Sequence, residues 1–298
     1  MDKVLVIVGQ TAVGKTSMSI KLAKHLNGEI INGDAMQVYK GLNIVTDKIK
    51  KEQMQGVVHH LFDLKEINED YNVDEYQKNI RRVISEVTSR NKLPIIVGGT
   101  GLYVKAALYD YNFANEDISN KETEELYKDY SNDELYEMLI RVDPKSCETI
   151  HKNNRRRVIR ALAIYNATGK SKSEIISEQK HEQLYDSIII ALDLDKQIIN
   201  DKIDKRIEEM FNEGLVEEVK NNPTTSTASK AIGYKEVSSY LNNEISLNEA
   251  KELMKIHTHQ YAKRQRTWFK HQLPVNFVNN DIDAFDKILE IINNNWTK

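Results

Sequence analysis

The chain opens on an unbroken apolar run, Val4-Leu5-Val6-Ile7-Val8, which predicts a strand buried on both faces. Glu29-Ile30-Ile31-Asn32 predicts a second strand, ending at Gly33-Asp34. Ile95-Ile96-Val97 predicts a third, entered through Pro94 and left through Gly98-Gly99-Thr100-Gly101. Between them Val73, Tyr76, Ile80, Val83, Ile84 and Val87 fall at helical spacing and predict a helix over 73–91. Strands alternating with helices predict a doubly wound α/β core, in which ligands sit beyond the carboxyl ends of the strands. Asp34, Thr100 and the loop after Val8 all lie at such ends and are expected to line one crevice.

From residue 112 the texture changes. Residues 119–180 are charged and helix-forming, with no strand pattern. Ser131-Asn132-Asp133-Glu134 reads as a capping box, and a helix over 155–168 is expected to stop at Gly169. Strand character returns at Ser187-Ile188-Ile189-Ile190-Ala191-Leu192. Helices at about 196–213, 228–241 and 247–272, a short strand at 275–278 and a last helix are expected to follow. Residues 221–227 are the most loop-like stretch, and Asn293-Asn294-Asn295 suggests a fraying tail. The expected organisation is therefore a parallel-sheet core formed by 1–111 and 187–298, interrupted by a helical insertion domain at 112–186.

The stretch with the most chemistry follows the first strand. Gly9-Gln10-Thr11-Ala12-Val13-Gly14-Lys15-Thr16 matches G-x-x-x-x-G-K-[ST] in full and precedes a helical pattern over 17–26. Its glycines allow successive N–H groups to turn toward an anion, and the helix dipole adds positive potential. Lys15 brings a charge to the distal phosphate and Thr16 a hydroxyl to Mg²⁺. Gly9, Thr11, Ala12, Val13, Gly14, Lys15 and Thr16 are thus candidate diphosphate ligands, in a P-loop NTPase-like core. The strand ending in Gly98-Gly99-Thr100 lacks the carboxylate that motor ATPases and switch GTPases use to organise metal and water. The acid available is Asp34. It can be read as a proton acceptor for a nucleophile beside the phosphates, which favours group transfer, or as an ordinary turn residue.

A net charge of −3, from 42 basic and 45 acidic residues, leaves no global basic field, so any nucleic-acid surface must be local. Two clusters qualify. His151-Lys152-Asn153-Asn154-Arg155-Arg156-Arg157-Val158-Ile159-Arg160 sets Arg156 and Arg160 on one helix face. Lys263-Arg264-Gln265-Arg266-Thr267-Trp268-Phe269-Lys270 interleaves cations with aromatics. Each also reads as a solvated helix face, with Trp268 and Phe269 in the core. Arg206 reads either as a cation closing over a leaving diphosphate or as a surface partner of Glu209 or Glu213. His59-His60 and His257/His259 lack i, i+4 metal spacing, so no zinc site is expected. The single cysteine, Cys147, excludes an intramolecular disulfide and fits a reducing cytoplasm. Without a secretory or membrane-length apolar run, no membrane association is expected.

Taken in order along the chain, several of these stretches resemble one family, the bacterial tRNA dimethylallyltransferases (tRNA isopentenyl transferases). They are the glycine loop, Asp34-Ala35-Met36-Gln37-Val38-Tyr39, His59-His60-Leu61 and Val97-Gly98-Gly99-Thr100-Gly101-Leu102-Tyr103. Asn154-Arg155-Arg156-Arg157-Val158-Ile159-Arg160-Ala161-Leu162, Ala231-Ile232-Gly233-Tyr234-Lys235-Glu236 and Ala262-Lys263-Arg264-Gln265-Arg266-Thr267-Trp268-Phe269 complete the set. The resemblance implies transfer of a dimethylallyl group from dimethylallyl diphosphate to the N6 amine of the adenosine just 3′ of the anticodon, in tRNAs reading codons that begin with U. It implies Asp34 as general base, Thr100 and Arg206 as holders of the departing diphosphate, and Mg²⁺ at Thr16. It implies that Asp34, Ala35, Met36, Gln37 and Thr100 meet the flipped adenine. Arg155, Arg156, Arg157, Arg160, Lys263 and Arg266 are then expected to meet the anticodon stem-loop, and a cytoplasmic monomer is expected. Gln10 stands where the family commonly has proline, Val45 where it has glycine, and Gly33 differs from the usual residue before the acid. The alternatives are an adenine-nucleotide prenyltransferase, a P-loop small-molecule kinase, or a non-catalytic RNA-binding protein with a nucleotide switch.

Overall fold

The computed structural model describes residues 1–111, 120–178 and 182–296, with the side chains of 120–122 also outside the description; part of the expected insertion, residues 112–119, is thus not covered. Along the first part of the chain run β1 (Lys3–Gly9), α1 (Lys15–His25), β2 (Gly28–Asn32), β3 (His59–His60), α2 (Val73–Ser89), β4 (Leu93–Val97) and α3 (Gly101–Leu108). A helical stretch follows: α4 (Asn120–Leu126), α5 (Asn132–Val142), α6 (Pro144–Cys147), α7 (Arg155–Thr168) and α8 (Lys172–Glu178). The chain then returns through β5 (Asp186–Asp193), α9 (Lys196–Asn212), α10 (Leu215–Asn221), α11 (Tyr234–Leu241), α12 (Leu247–Gln272), β6 (Asn276–Asn279) and α13 (Ala284–Trp296). Two compact units result, Met1–Leu108 with Leu184–Lys298, and Tyr109–Gln183.

The first unit is an α/β sandwich. Its sheet has the order β3-β2-β4-β1-β5-β6, and every pairing is parallel. Val4 through Val8 are wholly buried at its centre, as a strand covered on both faces requires. The register sets Val97 level with both Ile7 and Asn32, so β1, β2 and β4 end side by side. Their following loops are fastened by backbone bonds: Gly33 N–H to the Val97 carbonyl (2.8 Å), Gly98 N–H to that of Ile7 (3.2 Å) and Thr100 N–H to that of Gly33 (3.3 Å). At Gly98 a β-carbon would lie 2.2 Å from the Gly33 carbonyl carbon and oxygen. Only glycine permits that approach.

The second unit has its own core of Tyr127, Leu135, Leu139, Ile150, Val158, Ile159 and Leu162. The capping box at Ser131 and Glu134 forms as expected, and α7 ends at Gly169 with φ 70°. Buried Asp143 accepts from Ser146 N–H, Ser146 Oγ and Ser173 N–H, which hold its carboxyl below the ordinary value against the cost of burial. Burial raises the Cys147 thiol, so it is no ready nucleophile.

Three expected elements differ. The helix expected over 228–241 is two pieces, a 3-10 turn Thr227–Lys230 and α11, because Gly233 has φ 100° and caps α11 through Glu236. A separate helix, α10, follows Gly214 (φ 102°), whose left-handed backbone ends α9. Asn293-Asn294-Asn295 does not fray: α13 runs to Trp296, anchored by buried Ile288 and Ile292 and by Lys3 Nζ donating to the Trp296 carbonyl (3.0 Å). Among the described residues no helix is long and apolar enough to cross a membrane.

We expect Gly98→Ala to destabilise the protein by about 1–3 kcal/mol, since the clash is with backbone and no side-chain rotation relieves it. Urea unfolding of the variant measures this; a midpoint equal to wild type contradicts the close approach.

Candidate active site

Beyond the ends of β1, β2 and β4 lies a cavity of about 440 Å³, lined at its polar end by Thr11, Asp34, Thr100 and Arg206. Its far wall is apolar, with Val45, Ile203, Ile207, Met210 and Met254 contributing. The loop from Gly9 forms the polar end. Ala12 and Gly14 adopt left-handed backbone (φ 62° and 99°), which bends the chain into a cradle before α1. Lys15 Nζ donates to the carbonyls of Gly9 (3.1 Å) and Gln10 (2.7 Å), Asn280 donates to that of Val13 (2.7 Å), and Thr11 N–H donates to Gln265 Oε1 (2.9 Å).

Asp34 is fixed from both sides. Buried Asn32 accepts from the Asp34 N–H (2.9 Å) and donates to the Asp34 carbonyl (3.0 Å). Asp34 Oδ1 accepts from Met36 N–H (2.8 Å), and Ala35 N–H donates to Thr100 Oγ1 (3.1 Å). Burial raises the Asp34 carboxyl above its ordinary value, against the pull of Met36 N–H, Lys15 and Arg206. Burial likewise lowers the Lys15 ammonium to about 8, and Arg206 pushes the same way, while Asp34 and Asp47 oppose it. The Tyr261 hydroxyl, within electrostatic reach of Asp34 and beside Thr100 and Gln265, is raised by burial and remains a protonated donor.

Arg206 does not pair with Glu209 or Glu213. Its guanidinium donates to Thr11 Oγ1 (3.0 Å) and meets Asp47 Oδ2 (2.9 Å), and its buried Nε has no protein partner. Asp47 is presented by a turn with φ 48°, which Gln37 braces by donating to the carbonyls of Thr46 (3.0 Å) and Asp47 (3.3 Å). The same loop is held from α10, where Glu218 accepts from the N–H groups of Asn43, Ile44 and Val45.

The residues singled out in the sequence divide accordingly. Thr11, Asp34, Ala35, Met36, Thr100 and Arg206 share the cavity. Gly9, Ala12, Val13, Gly14 and Lys15 shape the cradle, Thr16 stands exposed on the first turn of α1, and Gln37 braces the neighbouring loop. Lys263 is exposed. Two expected RNA ligands are corrected. Arg155 uses its guanidinium inside the helical unit, on the carbonyls of Tyr127 (2.7 Å) and Tyr130 (2.6 Å) and on Asn132 Oδ1 (3.2 Å). Arg266 is clasped by Asp193 through three short contacts (2.7–3.1 Å). Arg156 and Arg157 are exposed on α7 and Arg160 half-buried; Arg157 and Arg160 add to the burial that lowers the Lys172 ammonium. Phe269 is buried, whereas Trp268 is half-buried against Gly101.

Asn32, Asp47, Tyr261 and Gln265 were not picked out for a role at the site. Gln265 is the most consequential: buried on α12, it accepts from Thr11 N–H and donates to the Gly99 carbonyl (3.0 Å), joining the cradle to the loop that carries Thr100. The Gly9 to Thr16 cradle and the Asp34 and Thr100 turns were visible as motifs, but nothing near Gln265 in the chain announces partners more than 160 residues away.

Comparison with known proteins adds the following. The IPP transferase family model matches residues 37–272. A tRNA dimethylallyltransferase of Anoxybacillus flavithermus is 49% identical over 278 residues, covering 92% of this chain and 89% of its own. One of Bacillus cereus strain AH187 is 44% identical over 298 residues, covering 98% and 93%. Among solved structures, the tRNA isopentenylpyrophosphate transferase of Staphylococcus epidermidis superposes with a TM-score of 0.73 at 37% identity, covering 99% of each chain. A eukaryotic dimethylallyltransferase acting on tRNA superposes with a TM-score of 0.83 at 30% identity, covering all of this chain and 77% of its own.

Gln265→Met keeps the volume and removes both bonds, leaving a buried donor and acceptor unpaired. We expect inorganic diphosphate to bind about tenfold more weakly, in line with the cost of orphaned polar groups. Titration calorimetry checks this; unchanged affinity means that the cradle keeps its shape without Gln265.

Proposed function

The chain belongs to the IPP transferase family, and from that membership and the cavity's geometry we propose that it transfers a dimethylallyl group from dimethylallyl diphosphate to the N6 amine of the adenosine 3′ of the anticodon in tRNA. The observation that carries the reading is one cavity with an anion cradle and Asp34 at one end and an apolar wall at the other. A kinase site has no need of that wall.

In this reading the diphosphate lies on the cradle N–H groups, Lys15, Thr11 and Arg206, whose unpartnered Nε suits an anionic oxygen. The five-carbon group lies toward Ile203, Ile207 and Met210. Adenine's exocyclic amine is a weak nucleophile because its lone pair is delocalised into the ring. The C1–O bond of the allylic diphosphate therefore breaks well ahead of C1–N6 bond formation, and negative charge grows on the leaving oxygens. Lys15 and Arg206 meet that charge where it develops. As the C–N bond forms, the N6 proton passes to Asp34, whose raised pKa makes it a stronger base than a surface aspartate. Thr100 and Ala35 hold the aspartate's turn against β4.

The residues also fit Mg²⁺ carried by the diphosphate. Thr16 offers an exposed hydroxyl, while no group of three or more His, Cys, Asp or Glu among the described residues forms a protein cage, so most ligands would come from phosphate oxygens and water. Bound there, the ion would neutralise part of the leaving-group charge. On the RNA side, Arg156, Arg157 and Arg160 of the helical unit remain for phosphate contacts.

Incubation with dimethylallyl diphosphate, Mg²⁺ and an anticodon stem-loop should add one C5H8 unit (68 Da, about the mass of an isoprene) to the expected adenosine. AMP should be a poor acceptor. Asp34→Asn should lose about 10²–10⁴-fold in kcat with stem-loop affinity retained. No mass gain with folded protein, or normal turnover by the variant, refutes the assignment.

The free enzyme's kcat/KM should rise through the raised Asp34 pKa, as the base ionises, and fall above about pH 8 as Lys15 loses its charge. A profile flat from pH 7 to about 10 would remove Lys15 from charge stabilisation.

A further inference from the structure

Lys230, Ala231, Ile232 and Arg264 line the catalytic cavity and also line a second depression of about 550 Å³ beside it. The two spaces therefore share a rim. This rim is remote in kind from the cradle: it is made by the turn before α11 and by the middle of α12, not by the loops after the strands. Three of the depression's side chains are exposed cations, Lys230, Lys235 and Arg264. Its one carboxylate, Glu236, is buried and turned inward, accepting from Gly233 N–H (2.8 Å) and meeting His257 Nδ1 (2.5 Å). The guanidinium of Arg264 lies 5.9 Å from the ring centroid of Tyr261, which itself reaches toward Thr100 and Asp34.

We propose that this depression is a backbone-phosphate subsite for the RNA, holding the phosphates that flank the extruded adenosine. The inference rests on the function proposed above. With diphosphate on the cradle, the base must enter from elsewhere along the cavity, and an extruded base leaves its own sugar–phosphate chain at the mouth it enters by. A phosphodiester at that mouth needs cations without competing carboxylates, and the shared rim supplies them. The two basic positions that the sequence put forward for the RNA and that the fold uses internally, Arg155 and Arg266, cannot serve in this way. Lys235 and Arg264 take that part on the catalytic unit.

The test measures binding of a fluorescent anticodon stem-loop to the full chain across a salt series, for wild type, Lys235→Gln, Arg264→Gln and the double variant. Lys21→Gln, an exposed lysine of α1, controls for lost net charge. Each rim substitution should flatten the log K against log salt slope by about 0.7–1 and weaken binding about three- to tenfold near 0.15 M salt. For Lys235→Gln the KM for dimethylallyl diphosphate should stay within about twofold. An unchanged slope in the double variant overturns the subsite, as does an equal change in Lys21→Gln. A raised KM for dimethylallyl diphosphate with RNA binding intact assigns Arg264 to the prenyl donor instead and also overturns it. Wild-type protein that shows the expected slopes but transfers no prenyl group refutes the proposed reaction while leaving the phosphate subsite supported.

Discussion

Two backbones touch at Gly33 and Gly98, and the active site depends on that contact. Because β2, β4 and β1 are adjacent and parallel, their exits lie in a row. The missing β-carbon at Gly98 lets the first two exits close to within van der Waals range. Thr100 N–H can then reach the Gly33 carbonyl, and Thr100 Oγ1 can receive Ala35 N–H. Asp34 is thereby placed over the cradle's edge by main-chain geometry, with Asn32 fixing the peptide on both sides. A base positioned in this way loses little entropy when substrate arrives.

That placement sets up the electrostatics. Two carboxylates, Asp34 and Asp47, and two cations, Lys15 and Arg206, share a poorly hydrated space. Burial moves every one of the four toward its neutral form, and opposite charges only partly restore them. The same low polarity strengthens any interaction with charge that develops during reaction. A site tuned by burial can thus contain a base stronger than a free aspartate next to a lysine that gives up its proton more easily than a free one.

Much of the fold was legible because strands buried on both faces leave an unmistakable apolar run, and because glycine loops at strand ends announce where a chain must turn. Val4 to Val8, Ile95 to Val97 and Ser187 to Leu192 are of this kind, and the cradle's motif fixed the anion end. Illegible were the features that depend on a polar side chain finding main chain far away. Gln265 and Glu218 look like ordinary polar positions on helices, and only the folded chain brings them to Thr11, Gly99 and residues 43–45. The same limit applied to the arginines. Sequence can count guanidiniums in a cluster, but whether one faces solvent or a carbonyl, as Arg155 does, is decided by the helix packing around it. The division at Gly233 was hidden because Tyr234 to Leu241 continues a helical pattern across it, and only its φ of 100° separates the pieces.

Glu218 reaches the loop before Asp47 by gripping three consecutive amides, and amides are common to every amino acid but proline. The hold is therefore blind to which side chains residues 43–45 carry. Val45, standing on the apolar wall where relatives resembling this chain commonly have glycine, is tolerated on those terms. A lining of this sort can be retailored one residue at a time, in evolution or at the bench, while the path of the chain that displays it stays put.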